Sequence, residues 1–407
     1  MKNSNEKFNF NFVTVCVITG AFIAYAVGSG FASGNEVLQF FGSWGLKKST
    51  LVFLGAAFIQ LVTCISLYRI GSVRTFPTTS AAYDYVGGKV LGKFFQIWTF
   101  VSIFGTFMIM FSGAGSLFNQ YWGLPQWVGS AIMGIVSAVI VIGGLKTVER
   151  VLGSVGIILL VYVVLFGIIS LFNPACDLSQ ADNIAEYVES GVVYQANLFA
   201  LPPLSWIPGL ADINTPFLEG MLYAALVVVN GVPFFLTLGK RTKTMGQATI
   251  SAVATTAALY ACTFFVMILI LSNFNEVVNT TTGKMSAFPV LAALDVLWPS
   301  GSWTYVIIIF GGIFTTTTGF LWVLSEWLFP GQTRTKKTNT FVIVMVLVGF
   351  FLGSVLPFSA LINFLFPLSG LVGVVLTICL VVRLVQTQKA VKSGELKEQE
   401  LNPPEAE

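Results

Sequence analysis

The chain has 407 residues, 55% of them hydrophobic and only 10% charged, with a formal net charge of +3 and a mean hydropathy of +0.83. A water-soluble domain carries roughly 25% charged residues, so this composition excludes a soluble fold, and the scatter of its basic residues over many short segments excludes a nucleic-acid surface. With no His and five scattered Cys there is no zinc-type spacing and no disulfide framework. A membrane hydrolase or transferase therefore lacks its usual parts, and neither a catalytic residue nor an organic cofactor is expected.

Ten apolar runs, each long enough to cross a hydrocarbon core of ~30 Å, follow one another along the chain. The polar residues 2–11 precede a run too long for a cleavable signal, which reads as a retained first span. The first five spans are predicted at 12–41, 50–70, 94–117, 128–144 and 151–172. The second five are predicted at 216–238, 250–271, 303–329, 340–353 and 361–384. With the N-terminus in the cytoplasm, 18 of the 21 Lys and Arg fall on the cytoplasmic side, leaving only Lys47, Lys48 and Lys284 outside. The expectation is a multi-pass protein of the cell inner membrane, in contact with the bilayer, with both termini cytoplasmic. The layout reads as a first five-helix repeat over 1–172, an acidic extracellular loop over 173–215, a second, inverted five-helix repeat over 216–385, and a disordered cytoplasmic tail over 386–407.

The first span contains Val27-Gly28-Ser29-Gly30-Phe31-Ala32-Ser33-Gly34, a run of Gly and Ser that weakens a helix by ~1 kcal/mol per Gly. The sixth contains Val229-Asn230-Gly231-Val232-Pro233, where Pro233 lacks an N–H and biases Val232 away from helix. Gly28 and Asn230 are 202 residues apart, about half the chain, and the same shift lays the second span on the seventh. Five spans per half place the halves in opposite orientation, as in inverted-repeat transporters with paired discontinuous helices. Either break alone reads equally well as a packing or kink feature. Together, they predict a mid-membrane solute site formed by Gly28, Ser29, Gly30, Phe31, Val229, Asn230 and Gly231, since irregular backbone at that depth is tolerated beside a cavity or buried in protein.

The stretch Ala26-Val27-Gly28-x-Gly30 resembles the unwound segment of the LeuT-type fold, in the amino acid–polyamine–organocation superfamily. The longer string from Val27 to Phe41 is similar to the bacterial YkvI-type membrane proteins. The resemblance implies an all-α membrane protein of ten helices in a 5+5 inverted repeat with helices 1 and 6 discontinuous. It further implies alternating access and a sodium coupling ion held by the carbonyls of Ala24 and Val27 with hydroxyls from Thr315, Thr316, Thr317 and Thr318. The competing reading of those hydroxyls is a bond to the carbonyl one turn back. Phe31 stands where the sodium-coupled pattern has an Asn, which argues against a second ion.

Glu36 is an intramembrane carboxylate and hence a functional candidate, as proton carrier, gate or attractor of a cationic solute. Ser33-Gly34-Asn35-Glu36 also fits a capping box opening the outer half-helix. Either role offsets the positive end of the half-helix, which favours an amino acid or an amine over an anionic solute. Glu219, early in the sixth span, reads as a gate residue or a solvated helix end. Proton coupling through Glu36 and a non-transporting sensor on the same scaffold are the alternatives to sodium symport.

Overall fold

The computed structural model describes residues 11–143, 155–173, 178–202, 204–209, 211–242, 244–279, 284–329, 332 and 335–396. Lys2, Lys7, Lys146, Arg150, Lys243, Arg334 and Lys397, part of the basic asymmetry, lie outside the described residues. Among those described, the chain is almost wholly helical, as apolar segments in lipid must be to satisfy their backbone groups internally. The first span is three helices, α1 (Phe12–Ala26), α2 (Ser29–Ser33) and α3 (Asn35–Phe40). Then come α4 (Gly45–Val73), α5 (Thr79–Trp122), α6 (Gln126–Gly143) and α7 (Val155–Phe172). After a loop whose described residues hold one short α-helix, α8 (Ile184–Glu189), and four 3-10 turns, the sixth span is α9 (Pro216–Val229) and α10 (Val232–Lys240), bent by 75° at the break. The remainder is α11 (Met245–Leu271), α12 (Phe274–Val277), a two-residue antiparallel β pair, α13 (Pro289–Leu297), α14 (Ser302–Leu328), α15 (Lys336–Val355) and α16 (Phe358–Lys392).

Among the described residues, seven helical stretches are long and apolar enough to span a membrane on their own, and the bent α9–α10 pair makes an eighth. The tail expected to be disordered from 386 is helical as far as Lys392. Tyr85 and Thr387 hydroxyls meet at 2.7 Å and Arg383 Nε donates to Val86 O at 3.3 Å, so the end of α16 is tied to the start of α5. Residues 397–407 lie outside the described residues.

Two packed groups organise the bundle. In the first, α4 lies along both halves of the broken sixth span. Gly55 meets the Phe217 carbonyl and Gly220 the Val52 carbonyl; one half-helix on, Gly71 meets Leu236 O and Gly239 meets Tyr68 O, and at each of the four a Cβ would strike backbone. Small residues facing one another are what lets membrane helices approach this closely. Helix α11 packs against α4, and α1 packs on α11. In the second group, α5, α6, α14 and α15 enclose a separate apolar cluster around Phe107, Phe111, Leu321 and Met345. Below, the side holding the start of α1 and the end of α16 is termed the basic face and the opposite side the loop face.

Candidate solute site at the paired helix breaks

Both predicted breaks are present. In the first, Val27 leaves the helix (φ −83°, ψ 84°) and Gly28 is extended. The Gly28 N–H turns to Ala26 O at 3.1 Å instead of Ala24 O, and the ladder resumes with Ala32 N–H on Gly28 O at 2.9 Å. The carbonyls of Ala24 and Val27 are thereby left outside the helical ladder. A Cβ on Gly28 would meet open space, and Ala24 is exposed. At the second break, Asn230 and Gly231 separate the two helices. The breaks come together through Tyr25, whose ring lies against Gly231 and stacks on Phe234 at 5.4 Å, while Phe22 stacks on Phe235 at 4.7 Å.

The Val229 carbonyl freed by the second break is not idle. Tyr83 O–H donates to it at 3.0 Å and Thr99 Oγ1 at 3.4 Å, both from α5. Asn230 Nδ2 donates to Ser102 Oγ at 3.0 Å, and that hydroxyl meets Ser369 of α16 at 3.2 Å. The Asn230 Oδ1 is buried with no protein partner among the described residues, which leaves an acceptor at the break. Tyr83, Thr99, Ser102 and Ser369 hold the second break through these hydrogen bonds, and sequence reasoning missed them.

A second interruption follows the first. Gly34 adopts φ 86°, a left-handed conformation suited to Gly, and lies so close to Ile270 and Val290 that a Cβ would overlap both. The expected Ser33–Glu36 capping box is therefore not formed. Ser33 Oγ donates to Gly30 O at 2.8 Å and accepts from Asn35 N at 3.2 Å. Glu36, 8% exposed, instead turns back on the first break: its carboxylate lies against Gly30, where a Cβ would collide with it, and faces the Phe31 N–H and the Tyr223 hydroxyl. Glu36 is the sole charged side chain within residues 20–43 and 222–239.

Glu219 is not a solvated helix end. It is fully buried, both its oxygens lack a protein hydrogen bond among the described residues, and Asn214 from the preceding loop faces it. That loop folds down onto the helices, with Ala196 N–H on Gln39 O at 3.1 Å and Asn214 Nδ2 on Ala196 O at 3.3 Å.

The four hydroxyls of Thr315–Thr318 each donate to a carbonyl three or four residues back, at 2.7–3.0 Å. This matches the competing structural reading, yet a hydroxyl that donates keeps its lone pairs for a cation. Helix α14 also sits against the first break, with Tyr305 O–H donating to Ala32 O at 2.6 Å.

The loop face is closed over the breaks by the segment 284–297. Gln120 Oε1 accepts from Phe288 N at 2.9 Å and Ser286 Oγ at 3.0 Å, Asn35 Nδ2 donates to Ala287 O, and Ser359 Oγ donates to Asn35 Oδ1 at 2.9 Å. A cavity of about 400 Å³ beside this lid is lined by Gln126, Glu276, Lys284 and Asp295 and by neither break. The junction of the two breaks is thus partly buried, with the segment 284–297 packed on its loop-face side.

No family model matches the chain. It is 24% identical over 359 residues to the uncharacterized protein YyaD of Bacillus subtilis (strain 168), covering 87% of this chain and 92% of the relative. To the uncharacterized membrane protein YkvI of the same organism it is 22% identical over 360 residues, covering 86% and 91%. Among solved structures it is similar to MhsT in complex with L-phenylalanine, with a TM-score of 0.56 and 16% identity over 92% of this chain and 97% of that one. The likeness spans nearly the whole of both chains, so the chain is an all-α, multi-pass membrane protein with the LeuT-type fold.

Proposed function

We propose that this protein is a secondary active transporter that carries a small organic solute, an amino acid or an amine, across the cell membrane by alternating access coupled to sodium. The observation that carries the reading is the meeting of two helix breaks at one partly buried junction, through Tyr25 on Gly231. Half-helix ends aimed at such a junction are how transporters of this build bind solute at the midplane. The solved structure that shares the fold holds an amino acid. Glu36 brings carboxyl oxygens to the break and no Lys or Arg stands in the same span, which favours a zwitterion or a cation. Asn230 Oδ1 is a ready acceptor for a solute ammonium.

Sodium would take the Ala24 and Val27 carbonyls with two of the Thr315–Thr318 hydroxyls, an all-oxygen set suited to a hard cation. In this reading the basic face is cytoplasmic, both termini lie inside, and the shut lid over 284–297 is the outer gate. The groups Gly28 to Phe31 and Val229 to Gly231 bind the solute.

The test is thermal stability of the purified protein against a panel of amino acids, amines and nucleobases, each in sodium and in potassium. A ligand that binds only the folded state raises the melting temperature, by about 2.7 kcal/mol of stabilisation at one hundred times its Kd. A sodium-dependent shift with one solute class is expected, and it should vanish in Thr317→Ala/Thr318→Ala. A shift that persists in potassium and in that variant would remove sodium from the mechanism.

A further inference from the structure

Below Glu36, towards the basic face, runs a seam of buried polar groups that solute binding does not use. Tyr223 of α9 faces Glu36, and its ring lies 4.9 Å from Phe41, the ring that also borders Tyr260 of α11 at 6.3 Å. Tyr260 lies beside Cys64 of α4, which accepts from Gln60 Nε2 at 3.0 Å. One turn on, Tyr68 points at Cys64 and Thr255 without bonding to either, and Thr255 meets Thr19 of α1 at 3.4 Å. The seam ends at Ser251 and Gln247, whose amide donates to Asn11 O at 3.2 Å at the start of α1.

Two features set this seam apart. Its polar residues recur every four on facing helices, 60, 64 and 68 on α4 and 247, 251 and 255 on α11, so each forms a stripe. Along it, Tyr223, Tyr260 and Tyr68 hydroxyls, Gln60 and Gln247 Oε1, and Ser251 Oγ are buried with no protein partner among the described residues. Each such group costs about 1–3 kcal/mol unless water satisfies it. Successive stripe positions are about 6 Å apart along the helix, close to the span of one water making two hydrogen bonds of about 2.8 Å.

We infer that the seam between α1, α4, α9 and α11 holds a single file of water that exchanges a proton between Glu36 and the basic face while the lid is shut. The protonated Glu36 gives its O–H proton to the water at Tyr223 and becomes a carboxylate. Each water or hydroxyl then accepts one proton and passes on another, and the last delivers it to bulk water near Asn11. The titratable groups facing Glu36 are Tyr223 and, behind it, Tyr260; α2 and α16 carry none near it. This goes beyond sodium symport and does not depend on the solute.

The wild-type protein carries its own control. Tyr83 and Tyr305 are as buried as Tyr68 and Tyr223, but their hydroxyls donate to Val229 O and Ala32 O. Hydroxyl-radical footprinting, with radicals made from the water itself, should modify Tyr68, Tyr223 and Tyr260 several times faster than Tyr83 and Tyr305. Equal rates for all five would overturn the water file, whatever the protein transports. Infrared spectra should then show a carboxylic-acid band that titrates, is lost in Glu36→Gln, and exchanges with D2O more slowly in Tyr68→Phe/Ser251→Val. An unchanged exchange rate in a folded double variant would overturn the path.

Discussion

The two packed groups of this protein solve the same problem in opposite ways. Among the described residues, α6, α14 and α15 contain no buried side-chain nitrogen or oxygen without a protein partner, and α5 contains one, Trp98. The group built on α4, α9 and α11 holds most of the rest, including Gln60, Tyr68, Glu219, Tyr223 and Tyr260. The group on α5, α6, α14 and α15 is a dry apolar framework; the group on α4, α9 and α11 is threaded by polar side chains. Dispersion contacts define one packing, because any shift opens a void. Polar groups that bond to water tolerate more than one arrangement. Under the proposed alternating access, the framework is the rigid part and the group that owns the second break is the part that moves.

The largest expected effect lies in the framework. Phe111 is fully buried, lies tilted against Phe107 at 5.0 Å between ring centroids and fills the space against Gly134, Gly349 and Gly353. Phe111→Ala should cost about 3–5 kcal/mol and lower the melting temperature more than any other substitution proposed here. Next comes Gly55→Val in the group on α4, α9 and α11, where the new side chain strikes the Phe217 backbone. Its expected cost is about 1–3 kcal/mol, read as lost monodisperse protein in detergent. Gly20→Val, which meets open space, should leave melting unchanged and serves as its control.

Between the groups, Tyr83→Phe removes one of the two hydroxyls that α5 places on Val229 O. The loss should be about 1 kcal/mol, and it falls on a contact between framework and moving group. Its signature is altered accessibility of a Cys placed at Ala24, with little change in melting. Unaltered accessibility would show that this bond does not hold the two groups in register.

Much of this was legible in the sequence, and the misses have local causes. The breaks were readable because Gly, Ser and Pro act through the backbone at their own position, and the 202-residue offset paired them. The lock on Val229 was not readable: Tyr83, Thr99 and Ser102 are ordinary residues of an apolar helix until the fold brings them 130 residues or so along the chain to the break. Glu219 was misread because its burial comes from a loop that folds over it through Asn214 and Ala196, which no helical pattern records. Ser33 and Glu36 had the spacing of a capping box, but Gly34 turned left-handed under the demand of close packing on α11 and α13, and the spacing lost its meaning. The polar stripes on α4 and α11 had a visible four-residue period; only their facing one another gives that period a use.

The smallest expected effect is the most discriminating. Tyr68→Phe and Tyr305→Phe each delete one oxygen from a fully buried ring. Tyr305 O–H donates to Ala32 O at 2.6 Å, so its removal strands a carbonyl and should cost about 1 kcal/mol. The Tyr68 hydroxyl has no protein partner, so its removal strands nothing in the protein and should change stability by less than about 0.5 kcal/mol. Denaturation of the two variants side by side measures the difference. Should Tyr68→Phe prove the costlier of the two, its hydroxyl must be satisfied within the protein, and the distinction between a dry framework and a wet moving group would fail at its central residue.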